Sequence, residues 1–332
     1  MSTLPGEVIL QVVDNLIPSH SRKIHRPSDI VTKTLISLTL TCKLTHPLAR
    51  QLLFRHCLYI DSKDRLDSLL DRSGYFTSNN HNQSIQACSL FLAPFPPESL
   101  NEPHIVNQIE RLFGRIRTTL QNLVVDMPLR YLYPNEDEQR LRKRLREAFC
   151  RLATLEDFCS VQDELFLDAL ESGDEPGVWL AWPFLRRLAL YNPYVEGTFV
   201  ADLQECQTLT HLVIVRADAY MEQPLTTSEA VGIPFSLDRV LVVNTKDDRL
   251  RDARLNKASE WHVSFWGCLM FMQSCGMNEL VSYVDVPVPP GREDEDISLC
   301  QEWLCAQAVD GTLWEFPGVT YPFDYMDECE GE

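Results

Sequence analysis

The chain lacks the segments that carry proteins to or across a membrane. Its first ten residues contain no cationic stretch followed by a long apolar run, so we expect no secretory signal peptide. No apolar run approaches the roughly 20 residues that a membrane helix needs. We therefore expect a soluble protein of the cytoplasm or the nucleus. Its 11 cysteines are then expected to be reduced thiols.

The motifs of the common enzyme classes are also missing. Only 13 of the 332 residues are glycine, and neither G-x-x-x-x-G-K-[ST] nor G-x-G-x-x-G occurs to hold a phosphate. H-E-x-x-H and G-x-S-x-G are absent as well. No cysteines are spaced C-x-x-C; the nearest approaches are Cys268/Cys275, with His262 upstream, and Cys300/Cys305. We expect no enzyme, cofactor or metal, and the enzymatic alternative is a hydrolase with a dispersed Cys/His site.

Positive charge is scarce, and it is unevenly placed. The net charge is −18, yet residues 1–60 hold seven Lys/Arg against three acids. Residues 291–332 hold twelve acids against Arg292. Such an acidic chain repels phosphate backbones, so we expect no nucleic acid partner. A protein partner with a basic surface fits this charge better.

Three short helices are predicted in the first 56 residues, because apolar side chains recur there at helical spacing. The apolar positions are Val8, Ile9, Val12, Val13 and Leu16, then Leu35, Leu38 and Cys42, and after Pro47 the residues Leu48, Leu52 and Leu53. Residues 17–34 contain Pro18, Pro27 and a cluster of basic side chains, which predicts an exposed loop.

Strands and helices alternate through the following 250 residues or so. The strands share the pattern L-x-x-[LV]-x-apolar, seen as Leu120/Leu123/Val125, Leu185/Leu188/Leu190, Leu209/Leu212/Ile214 and Leu237/Val240/Val242, with a blurred copy at Leu152/Leu155/Phe158. The central residues of these copies are about 24 to 33 positions apart, a spacing close to that of leucine-rich repeats. Stacked copies would bury one continuous core, with parallel strands on a concave face. An ordinary doubly wound α/β fold is the alternative.

Two more helices are predicted late in the chain. The first would place Trp261, Phe265, Trp266, Leu269 and Met272 in the core. The second follows the acidic run of residues 293–296, because acids favour a helix amino terminus, and carries Ile297, Leu299, Trp303 and Leu304.

The opening segment resembles an F-box. Leu4-Pro5-x-Glu7-Val8-Ile9 stands where that family has its Leu-Pro-x-Glu-hydrophobic signature, Leu16 closes the first helix, and Leu38-x-Leu40-x-Cys42-Lys43 falls on the second half. The segment from Ile17 to Lys33 is longer than in the compact form of the domain. An F-box followed by degenerate leucine-rich repeats resembles the large group of fungal F-box proteins. An ordinary three-helix cap on a solenoid is the alternative.

The resemblance implies a three-part α/β chain: an F-box-like helical domain at 1–56, an irregular leucine-rich-repeat solenoid with parallel strands at 57–290, and an acidic helix and tail at 291–332. It implies the substrate receptor of a cullin-RING (SCF-type) ubiquitin ligase, which binds a Skp-family adaptor and, through it, the cullin. The expected adaptor-binding residues are Leu4, Pro5, Val8, Ile9, Val12, Leu16, Leu38, Leu40, Cys42 and Lys43. An unidentified protein substrate is expected on the concave strand face and the acidic end. A leucine-rich scaffold outside any ubiquitin ligase is the functional alternative.

Overall fold

The protein is a mixed α/β chain. The computed structural model describes residues 4–18, 21–71, 87–170, 175–195, 197–217, 236–246, 265, 269 and 280–320. Within these residues it contains eight α-helices and one nine-stranded, mostly parallel sheet.

Three helices form the amino-terminal module: α1 (Gly6–Asp14), α2 (Ile30–Thr41) and α3 (His46–His56). Both α1 and α2 pack on α3. Their shared core consists of Val13, Ile17, Leu35, Ala49 and Leu52. The prediction of three short helices is confirmed.

Each strand of the sheet lies beside the strand that follows it in the chain. The strands are β1 (Leu58–Ile60), β2 (Ser89–Leu92), β3 (Asn122–Val125), β4 (Asp157–Ser160), β5 (Arg187–Tyr191), β6 (His211–Val215), β7 (Arg239–Thr245), β8 (Val281–Val286) and β9 (Val319–Thr320). β1 to β8 are parallel, and only β9 is antiparallel to its neighbour. The predicted side-by-side parallel strands are confirmed. A doubly wound sheet reverses its strand order at a switch point, and this sheet does not, so that alternative is excluded.

The helices that connect the strands pack on one face of the sheet. They are α4 (Lys63–Asp71), α5 (Pro103–Ile116), α6 (Leu141–Cys150) and α7 (Gly197–Glu205). Their apolar side chains meet alternate strand residues such as Leu90, Leu123 and Leu188 in the larger core. Phe265 and Leu269 are buried in the same core, as predicted; Trp261, Trp266 and Met272 lie outside the described residues.

The register corrects one copy of the strand pattern. Phe158, not Leu155, pairs with Leu123 on one side and with Leu188 on the other. The true copy is therefore Leu155/Phe158/Ser160, which sequence inspection missed because it required leucine or valine at the central position. Strand β2 repeats the spacing with Ala87, Leu90 and Leu92.

A repeated backbone hydrogen bond ties neighbouring units together. The carbonyl of the residue just before a strand accepts two N–H groups from the start of the next unit, at 2.8 to 3.1 Å. The accepting carbonyls belong to Cys88, Gln121, Glu156, Arg186 and Thr210. The same contact thus recurs at equivalent positions of successive units despite their unequal lengths.

The opposite face of the sheet is covered by segments from both ends of the described chain. Helix α8 (Asp296–Asp310) lies on this face, and Ile24 from the amino-terminal module joins it in a second core. The strands contribute their other set of alternate residues, among them Phe91, Val124 and Val213. Parallel sheets characteristically have both faces covered, and this sheet obeys the rule.

A buried arginine holds the loops that follow β3 and β4. Arg142 of α6 has no exposed surface. Its guanidinium donates to the carbonyls of Leu129 (3.0 Å), Leu132 (2.6 Å), Phe166 (2.9 Å) and Asp168 (2.5 Å). One cation thus satisfies four carbonyl oxygens that the loops would otherwise leave unpaired.

We expect Arg142→Met to lower the free energy of unfolding by about 3 to 5 kcal/mol, because removing one partner from a buried charged network leaves the others desolvated and unpaired. Lys143→Met is the matched control, since Lys143 is the exposed neighbour on the same helix. It should change stability by less than about 0.5 kcal/mol. Urea unfolding monitored by circular dichroism measures both, and equal effects would contradict the role assigned to Arg142.

Candidate functional site

The amino-terminal module exposes apolar side chains that its own core does not use. Leu4, just before α1, and Val8 and Val12 within it follow one another at four-residue spacing, and Leu4 and Val12 are 69% and 62% exposed. Leu40, near the end of α2, is 82% exposed. Leu44, just beyond α2, lies beside Gly6 of α1, so the end of α2 and the start of α1 are neighbours. We call Leu4, Val8, Val12, Leu40 and Leu44 the apolar docking surface.

The structure places the ten predicted adaptor-binding residues in two groups. Seven are exposed: Leu4, Pro5, Val8, Val12, Leu40, Cys42 and Lys43. Three are partly buried: Ile9, Leu16 and Leu38. Leu16 and Leu38 pack against the module's own core, so their first role is to support the helices.

Sequence inspection missed three apolar side chains on this module. Ile30, Ile36 and Leu44 are exposed but were not predicted to contact a partner. The sequence did indicate exposed apolar side chains on α2, because this helix carries apolar residues around its whole circumference. A helix of that kind needs more cover than a two-helix contact provides.

The loop between α1 and α2 is only partly exposed, contrary to the sequence-based prediction, and α2 already begins at Ile30. Residues 21–29, which we call the docking loop, lie between the module and α8. Ile24 is fully buried, its N–H donates to Val309 O (2.8 Å), and the N–H of His25 donates to His56 O (2.9 Å). The unusual length of this segment therefore has a structural use: it carries an apolar side chain from the module to the second core.

Ion pairs lie around the contact between the docking loop and α8. Lys23 and Arg26 both lie close to Asp310 at the end of α8, at 3.3 and 3.4 Å. Gly311 follows with φ +73°, and a Cβ there would lie 2.7 Å from the backbone N of Lys23. Only glycine allows both this left-handed turn and this close approach of the two backbones.

The concave strand face, where a substrate was expected to bind, is covered by the protein itself. The side chains that a concave face would offer to a partner, such as Val124, Cys159 and Val213, are buried beneath the chain's own α8 and docking loop. The sequence already indicated that this face is covered, because strands with apolar residues on both faces are buried on both faces.

Two buried histidines lie where the docking loop meets α3. Burial lowers the pKa of His56 to about 4, with Arg55 and His25 adding to the effect. Burial also lowers the pKa of His25, helped by Lys23 and opposed by Asp29. The folded protein therefore favours both imidazoles in the neutral form. We call this contact of the docking loop with α3 and α8 the joint.

Most of the described thiols behave as small apolar side chains. Burial raises the pKa of Cys57 to about 11 and that of Cys206 and Cys305 to about 12. Cys42 differs, because it is exposed and hydrogen bonding with Thr45 lowers its pKa. In the described part of the chain no three His, Cys, Asp or Glu residues form a group that could hold a metal ion. His262, Cys268 and Cys275 lie outside that part.

Comparison with known proteins supplies no relative: neither a protein-family model nor a curated protein matches the sequence. Among the described helices, none is both long and apolar enough to cross a membrane. Functional inference therefore depends on the residues and surfaces of this chain itself.

We expect Ile24→Ala to reduce the free energy of unfolding by about 2 to 5 kcal/mol, as is typical when a fully buried isoleucine is truncated. Ile30→Ala removes the same atoms from an exposed position and should have little effect. Hydrogen exchange supplies a local readout, because the amides of the docking loop and α8 should lose protection first in Ile24→Ala. Unchanged protection there would show that Ile24 does not hold the joint.

The joint should also weaken in acid. A histidine whose pKa is lowered on folding stabilises the protein fully above its unfolded pKa of about 6.5, and this contribution is lost as the pH falls towards 4. Between pH 7.5 and pH 5 we expect the wild type to lose about 2 kcal/mol more than His56→Gln. Urea unfolding at both pH values tests this, with His46→Gln as the exposed-histidine control. Parallel pH profiles for wild type and His56→Gln would contradict it.

Proposed function

We propose that this protein is the substrate-receptor subunit of an SCF-type cullin-RING ubiquitin ligase. The docking surface of the amino-terminal module binds a Skp-family adaptor and, through it, the cullin. The repeat body holds a protein substrate, and the chain itself catalyses no reaction. The exposed apolar docking surface on α1 and α2 is the observation that carries the proposal.

The energetics of the module favour a partner at this surface. The module already has a complete core of five buried residues, so it does not need Leu4, Val8, Val12 and Leu40 to fold. Water contact with apolar side chains costs about 25 cal/mol per Å². Groups of exposed apolar residues at helical spacing are typical of helix-mediated protein interfaces. Seven of the ten positions that the F-box resemblance singles out are exposed, these four among them.

The body is consistent with a degenerate leucine-rich-repeat protein. Its strands follow one another in sequence order, its connecting helices lie on one face, and one backbone hydrogen bond recurs between units. Stacked repeats of this kind form extended protein-binding surfaces. In this chain the strand face is closed, so a substrate would bind along the edges and loops of the repeats.

The connection between module and body also suits a receptor. The docking loop, α3 and α8 join the module to the sheet through a buried side chain, backbone hydrogen bonds and ion pairs. A ligase receptor must present its substrate at a fixed position relative to the adaptor, and a packed joint meets this requirement better than a free linker.

The full-length chain should co-purify with a Skp-family adaptor, and Val8→Asp and Leu40→Asp should each raise the dissociation constant at least tenfold, or about 1.4 kcal/mol. A charge in a desolvated apolar interface has to give up its hydration without a partner. Isothermal titration calorimetry on purified full-length variants provides the measurement, with thermal unfolding to confirm that each variant is folded.

Leu170→Asp and Ile297→Asp are the matched controls, because both side chains are exposed leucine or isoleucine residues away from the module. Both should bind the adaptor like the wild type. If the wild type fails to bind the adaptor, the chain is a leucine-rich scaffold outside the ligase. If it binds and the docking-surface variants bind equally well, the interface lies elsewhere.

A further inference from the structure

A cavity of about 300 Å³ lies at the carboxyl ends of β4 and β5. Its walls come from the loops that follow these two strands, from α6 and α7, and from the short 3-10 helix Val178–Ala181. Small-molecule sites usually range from about 300 to 1,000 Å³, so this one fits a single long side chain with a little of its backbone better than a large cofactor.

Negative charge exceeds positive charge in the cavity wall. The lining carboxylates are Glu164, Asp168, Glu175 and Asp202, and the lining cation is Arg146. Arg146 lies 3.8 Å from both Asp168 and Glu175. A second arginine, Arg130, pairs with Glu164. Four carboxylates and one arginine thus line the cavity, while Arg130 and Arg142 lie beside it.

Asp202 is the carboxylate with the least compensation. One of its oxygens accepts the N–H of Gly177 at 2.5 Å, and Arg146 acts on it only at longer range, without a direct ion pair in the described residues. Burial raises the pKa of Asp202 and of Asp168, which shows that both charged forms are incompletely solvated. A cation entering the cavity would relieve that cost.

Aromatic rings supply the rest of the wall. Trp179 and Phe199 meet edge to face with their centroids 6.2 Å apart, and Phe166 and Tyr194 also line the space. Phe166 already has the guanidinium of Arg142 over its ring at 4.2 Å, which demonstrates the cation–π geometry beside the cavity.

We propose that this cavity binds an arginine or lysine side chain of a partner protein. The ammonium or guanidinium lies among Asp168, Glu175 and Asp202, and the alkyl chain packs on the aromatic rings. As an account of substrate recruitment this inference rests on the proposed ligase function, and it then defines the substrate class as proteins with an exposed basic segment. The binding site itself does not depend on the adaptor.

Peptide titration of the full-length ¹⁵N-labelled chain tests the proposal. The probes are N-acetylated, C-amidated pentapeptides of glycine with arginine, lysine or citrulline at the centre. The Trp179 indole resonance, assigned by its loss in Trp179→Phe, should shift with the arginine and lysine peptides. The citrulline peptide has nearly the same shape without the charge and should bind at least tenfold more weakly. Raising the salt concentration should weaken the two charged peptides only.

Asp202→Asn separates charge from structure, because the amide oxygen can still accept the Gly177 N–H. This variant should bind the arginine peptide at least tenfold more weakly. Glu138→Gln removes one negative charge at an exposed position outside the cavity and should bind like the wild type. No Trp179 shift at millimolar peptide, equal binding of arginine and citrulline peptides, or wild-type binding by Asp202→Asn would overturn the proposal.

Agmatine, a free decarboxylated arginine, distinguishes the two sources of the cation. Binding as tight as that of the peptide would assign the cavity to a small cationic molecule and overturn recruitment of a protein segment. Val8→Asp should bind the peptides like the wild type. Failure of the peptide titration would therefore leave the adaptor experiment unaffected, and failure of adaptor binding would leave the cavity measurement unaffected.

Discussion

The structure depends on one constraint: a parallel sheet with apolar side chains on both faces needs two covers. The connecting helices α4 to α7 provide the first cover. The second comes from α8 and the docking loop, two segments almost 300 residues apart in the chain. Without them, residues such as Phe91, Val124 and Val213 would face water. Closing this face draws the amino-terminal module and the carboxyl-terminal helix together on the same sheet.

This closure decides which surfaces can meet a partner. The strand face, which a repeat protein could use for binding, is already occupied by the protein itself. The open features are the apolar docking surface of the module, beside the β1 end of the sheet, and the acidic aromatic cavity at the carboxyl ends of β4 and β5. They differ in chemistry, since one is apolar and the other negatively charged. They share no residue, so occupation of one leaves the residues of the other open.

Much of the local structure is predictable from the sequence, because it follows from periodicity. The three amino-terminal helices, the parallel strands around Leu123, Leu188 and Leu212, and α8 all appear where apolar spacing places them. The assignment of Leu155 failed for a local reason: phenylalanine fills the leucine position in β4. The exposed residues on α1 were expected from the F-box resemblance, because helical spacing alone does not separate Val8 and Val12 from the buried Val13.

The long-range contacts were not predictable in the same way. Ile24 stands alone among prolines and basic residues, and no periodic pattern marks it as buried. The cavity is assembled from residues between 146 and 202 whose approach depends on how the repeats stack. Closure of the strand face could have been inferred, since both sets of alternate residues in β6 and β7 are apolar.

A row of polar side chains at the start of the strands determines where the second cover sits. Asn122, Asp157, Arg187, His211 and Arg239 stand in register from β3 to β7. Asn122 donates to Arg22 O of the docking-loop backbone (3.0 Å), and Asp157 pairs with the Arg22 side chain (3.2 Å). Arg239 donates to Trp314 O (3.2 Å) and to Phe316 O, beyond α8.

These polar contacts specify position more than they add stability. Burial raises the pKa of Asp157 even though Arg187 and Arg22 lower it, so desolvation outweighs the attraction of its two partners. Apolar side chains alone would let α8 and the loop slide across a smooth strand surface, because apolar contacts are not directional. Buried polar pairs have their best-attested use in fixing such registers. We infer that the row aligns the loop and α8 on the sheet, and this alignment in turn fixes the orientation of the apolar docking surface relative to the cavity.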